Sequence, residues 1–75
     1  MKVWQETEFT NHLYYDDSDG RIIGITHKLG TQSIIYIAKV YKDNIEAVLG
    51  QYVSCEYAKM AIENFWLVEE KTYLT

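Results

Sequence analysis

No proline occurs in this 75-residue chain, and it holds one cysteine, one arginine and four glycines. Each scarcity excludes something. Without proline no strand loses a ladder amide, so long uninterrupted pairing is allowed. A single cysteine, Cys55, rules out a disulfide within the chain. His12, His27 and Cys55 fall in no recognised ligand spacing, so neither a metal nor any other cofactor is expected. No apolar run is long enough to span a bilayer, and Met1-Lys2-Val3-Trp4-Gln5-Glu6 lacks the apolar core of a signal peptide. The expectation is a cytoplasmic protein, and a free thiol suits a reducing compartment. Basic residues are few as well. Seven Lys and Arg against eleven Asp and Glu give a net charge of −4, with no basic cluster to follow a phosphate backbone. That balance suits a protein partner better than nucleic acid.

The length permits one domain, residues 1–75, around one small core. A chain of this size hides only ~60% of the surface it exposes when unfolded, so added burial through regular packing or oligomerisation is expected. The clearest local signal spans residues 45–66. Ser54 can cap a helix that begins near Cys55, with Glu56 at the positive end of its dipole. Ala58, Ala61, Ile62, Phe65 and Val68 then recur at helical spacing, with Glu56, Lys59, Glu63 and Asn64 opposite. The helix is expected over 54–70.

Upstream the period is two. Asp16-Asp17-Ser18-Asp19-Gly20, Gly30-Thr31-Gln32 and Lys42-Asp43-Asn44 divide residues 12–53 into strands, and Gly50 is placed to permit a bulge. Residues 1–11 have no clear period and read as an arm or an edge strand. The predicted fold is α+β, an antiparallel meander of three to four strands packed on one C-terminal helix.

Several segments together resemble the AP2-type DNA-binding domain. They are Gly24-Ile25, Tyr36-Ile37-Ala38-Lys39-Val40, Leu49-Gly50-Gln51-Tyr52, and Ser54 with Glu56, Ala58 and Ala61. The likeness covers roughly residues 21–66 and extends to the amino-terminal domains of some phage-type integrases. It implies an AP2-like sheet packed on one helix, and a phage or mobile-element accessory protein would suit it. It also implies a DNA-reading sheet face at Thr26, Lys28, Lys39, Tyr41, Glu46 and Val48. No arginine stands there, and arginine bidentate to guanine is the commonest specific contact in the major groove.

Strand alternation predicts that the helix covers Ile25, Tyr36, Ala38, Val40, Ala47 and Leu49, with His27 pointing the same way. The opposite face would then show Ile22, Ile35, Ile37, Tyr41 and Val48, flanked by Lys28 and Lys39. Antiparallel sheets with one wet side normally read polar there, so something should cover these residues. Two covers are open: an arm bearing Trp4 and Phe9, or another chain, with a homodimer the simplest closed form.

The candidates for chemistry are thinner. In an EF-hand register the acidic turn would put Tyr15 first and Thr26 last, which fails two ligand positions. Cys55 lies where a helix dipole favours thiolate, but the sequence places no base beside it. With no paired carboxylates, triad or phosphate loop, a non-enzymatic interaction module is expected, self-associating or binding another protein through the outer sheet face. The alternative is a nucleic-acid-binding module of AP2-like descent that uses Lys28, Lys39 and Lys42.

Overall fold

The computed structural model describes residues 2–7, 12–16, 18–30 and 34–74, the side chains from 71 onward excepted. Among them the chain forms strands β1 (Lys2–Glu6), β2 (His12–Asp16), β3 (Arg21–Lys28), β4 (Tyr36–Lys42) and β5 (Ile45–Tyr52), then helix α1 (Cys55–Leu74). The strands pair in chain order as one antiparallel sheet, and α1 packs across β3, β4 and β5. The fold is the expected α+β meander closed by a C-terminal helix, with five strands where three to four were predicted. The additional strand is β1, which adds to the edge of β2 in the register Trp4↔Tyr14.

Local chemistry explains the connections. Asp43 and Asn44 both adopt left-handed φ, at 54° and 64°, which is the two-residue hairpin turn that matches strand twist. In the β2–β3 turn the Asp16 carboxylate accepts from the Ser18 amide at 3.0 Å and from its hydroxyl at 2.7 Å. Gly20, with φ 72°, donates its amide to the Asp16 carbonyl at 2.8 Å. These Ser18 bonds, the hydroxyl bond first, hold the Asp16 carboxyl below its ordinary pKa. Asp16, and Asp19 by accepting from the Arg21 amide at 2.9 Å, thus close the turn locally. Asp17 lies outside the described residues, as do Phe9 and Thr31 to Ser33.

Helix α1 starts where its cap dictates. The Ser54 side-chain oxygen accepts from the Tyr57 amide at 3.1 Å, and its carbonyl from the Ala58 amide at 3.2 Å. Ala58 and Ile62 are fully buried against Ala38 and Val40, with Tyr14 and Ile23 completing the core. Phe65 and Trp66 pack beside them, and the Trp66 indole donates to the Ile23 carbonyl at 3.1 Å. Val68, predicted on this face, is instead 62% exposed, because the buried arc runs from Ala58 through Ile62 to Trp66 and leaves Val68 on its shoulder. The far end of α1 is tied down by ion pairs from Lys2 to Glu70 and from Lys42 to Glu69.

Two bulges set which residues face the helix. One doubles β3 against the Tyr14/Tyr15 junction, since Tyr14 pairs Gly24 while Tyr15 pairs Ile22. The other lies in β5, where Ala38 pairs Gly50 while Lys39 pairs Val48. As a result Gly24, Thr26 and Lys28 share the helix side with Val40, Ala38 and Tyr36, while Ile25 and His27 turn outward with Lys39 and Ile37. This corrects the predicted phase of β3. Thr26 is fully buried, with its hydroxyl 3.7 Å from the Cys55 sulfur. Ala47 does lie opposite Val40 on the helix side, yet at the edge of the sheet it remains exposed.

Candidate functional site

The outer face of the sheet is assembled by register. Its middle row runs Leu13–Ile25–Lys39–Val48 across four strands, because Leu13 pairs Ile25, Ile25 pairs Lys39 and Lys39 pairs Val48. On one side of it stands the row His27–Ile37–Gln51, and on the other Tyr15–Ile22 and Tyr41–Glu46. Val48 is 62% exposed and Ile22 46%, while Leu13, Tyr15, Ile25, Ile37 and Tyr41 are half-buried. Nothing among the described residues crosses them. Of the predicted covering arm, Phe9 lies outside the described residues, and Trp4 is not on this face, since β1 pairs edge-on with β2 and Trp4 turns to the helix side. There its ring stacks on Tyr14 with centroids 4.4 Å apart.

Of the residues predicted for this face, Ile22, Ile37, Tyr41 and Val48 are on it. Ile35 is not part of the sheet, for it precedes β4 and closes the β3–β4 connection by accepting the Leu29 amide at 2.9 Å. Leu13, Tyr15 and Ile25 are members that sequence reasoning assigned elsewhere or left aside. Leu13, Ile22, Ile25 and Tyr41 also line an open cleft of about 910 Å³, which wraps around the turn end of the sheet toward Trp66. The face is therefore contoured.

Polar groups on this surface are sparse and mostly self-satisfied. Lys39 pairs with Glu46 at 3.1 Å, and the Tyr41 hydroxyl donates to Glu46 at 3.4 Å. Burial, and then the Glu46 charge, pushes the Tyr41 phenol above its ordinary pKa. His27 Nδ1 lies 3.2 Å from the Lys28 carbonyl, while its Nε2 is buried without a hydrogen-bond partner among the described residues.

The three lysines named for nucleic acid do not converge. Lys28 sits on the helix side with its ammonium 5.8 Å from the Tyr36 ring centroid. Lys39 is on the outer face beside Glu46, and Lys42 reaches Glu69 of α1.

A second cluster carries no local sequence signal. His12 Nδ1 lies 3.3 Å from the Cys55 sulfur, and Thr26 stands beside both, because His12 pairs Thr26 across the sheet and the start of α1 lies over that pair. A histidine is thus placed next to the thiol across a separation of 43 residues in the chain.

No family model, no characterised protein and no solved structure matches this chain. No helix among the described residues is long and apolar enough to cross a membrane.

Proposed function

We propose that this domain is a non-enzymatic interaction module whose outer sheet face packs against the same face of a second copy. The observation that supports this reading is the row Leu13–Ile25–Lys39–Val48, flanked by Ile37 and Tyr41, an apolar surface that no described residue covers. Contiguous apolar patches on small domains mark contact sites. The core is small, with six hydrophobic residues buried among the described residues, two of them alanine. Face-to-face sheet packing about 10 Å deep would add a second apolar layer on the bare side.

Charge permits self-pairing. Lys39 and Glu46 neutralise one another within the face, so a two-fold axis through it brings opposite charges into reach and leaves the acidic remainder of the chain outside. The test is molar mass by light scattering behind a sizing column. The native chain is expected at twice 8.8 kDa. Ile25→Glu and Ile37→Glu are expected at 8.8 kDa with unchanged far-ultraviolet dichroism. A native chain that stays monomeric at high concentration, or a dimer that survives both substitutions, contradicts the reading.

A further inference from the structure

Helix α1 has apolar residues on its back as well as on its core side. Tyr57, Met60, Leu67 and Val68 are 57%, 53%, 53% and 62% exposed, and with the exposed Asn64 they form one stripe opposite Ala58 and Ile62. A helix apolar on two faces is one that is covered on both. The spacing Tyr57, Met60, Asn64, Leu67 alternates three and four, which is the seam of helix-on-helix packing, with a polar residue at its centre where register is set.

The two shoulders of the stripe differ. One carries Glu56, Glu63 and Glu70 in a column at seven-residue spacing, all exposed. Glu70 is paired with Lys2, while Glu56 and Glu63 have no ion-pair partner among the described residues. The other shoulder is apolar and runs through Ala61 and Phe65 into a groove of about 450 Å³ against Leu49 and Tyr52 of β5. The bound element is therefore asked to be apolar on one side and cationic on the other.

We propose that the back of α1 docks an amphipathic helix from a different protein, with an apolar seam and Lys or Arg on the shoulder that faces Glu56 and Glu63. A second copy of α1 is the poorer occupant. Packed antiparallel it would set the glutamate column against its own copy, and packed parallel it would face that column with Ala61 and Val68, leaving Glu56 and Glu63 unanswered. Charge complementarity thus selects a basic helix. This surface lies on the opposite side of the molecule from the sheet face, so the two contacts are independent.

The probe is a fluorescent three-heptad helical peptide with leucine at its seam positions and lysine on one flank, read by anisotropy at low and moderate salt. Saturable binding that weakens with salt is expected, reduced about tenfold or more by Leu67→Lys and by the pair Glu56→Gln with Glu63→Gln. All three positions are exposed, and dichroism verifies that the variants fold. Ile25→Glu, on the other face, is expected to leave peptide affinity unchanged, which separates this site from the dimer contact. No binding, equal binding of a peptide with glutamate in place of lysine, or affinity indifferent to Leu67→Lys overturns the proposal. So does loss of self-association on Leu67→Lys, which would make a second copy the occupant, or binding of neutral phosphatidylcholine vesicles in place of the peptide.

Discussion

A Cβ at Gly24 would lie 2.6 Å from the Cγ2 methyl of Ile62, so β3 and α1 meet at a spacing that only glycine allows at this position. The same hypothetical carbon would stand 3.4 Å from the Tyr14 Cβ, which makes Gly24 the floor of the core. Gly24→Ala is expected to destabilise the fold by about 1–3 kcal/mol through overpacking. Ile62→Ala should cost about 2–5 kcal/mol, since the side chain is fully buried. The double variant should lose less than the sum, because the alanine methyl enters space that Ile62 vacates. Urea unfolding of the four proteins checks this, and strict additivity would show that the two residues do not share that space.

The helix cap gives an independent prediction. Ser54→Ala removes the acceptor of the Tyr57 amide and should lower stability by about 1 kcal/mol, whereas Ser54→Asp should restore most of it. Denaturant midpoints of the three proteins decide the point, and a neutral Ser54→Ala would mean that water serves the first turn equally well.

At the β4–β5 hairpin, Asn44→Val forces a branched side chain into left-handed backbone and is expected to cost about 1–2 kcal/mol, while Asn44→Gly should be tolerated. Equal thermal midpoints for the two variants would argue against the two-residue turn.

Much of this architecture was legible because the signals are local. Alternation in Tyr36–Val40, turn chemistry at Asp43-Asn44 and the Ser54 cap each act within a few residues. The phase of β3 was not legible. Ile22-Ile23-Gly24-Ile25 is apolar at both parities, and the choice between them is made by the bulge opposite Tyr14 and Tyr15. With that phase set, Thr26 enters the core beside Cys55 and Ile25 joins the outer face. β1 was ambiguous for a related reason. It is an edge strand with half-buried Lys2, Val3 and Trp4 followed by exposed Gln5 and Glu6, so no alternation survives. The His12–Cys55 contact joins residues brought together only by the sheet and helix jointly.

Tyr14 supplies a prediction in pH. Burial first, and then the Glu63 charge, raises its phenol above the ordinary value of 10.0. Because the folded pKa exceeds the unfolded one, the neutral phenol contributes stability that is fully present below about pH 10 and is lost as pH rises through the folded value. Glu63→Gln should lower the Tyr14 pKa without returning it to 10.0, since burial remains. Carbon-13 shifts of labelled tyrosine rings report the titration, and a Tyr14 that ionises at the ordinary value in the native protein would exclude the burial described.

Isotope-filtered NOE spectroscopy on a one-to-one mixture of labelled and unlabelled chains reads out which face meets a second copy. Intermolecular contacts are predicted at the methyl groups of Leu13, Ile25, Ile37 and Val48. Their absence, or their confinement to Met60 and Leu67 on the back of α1, would contradict the account.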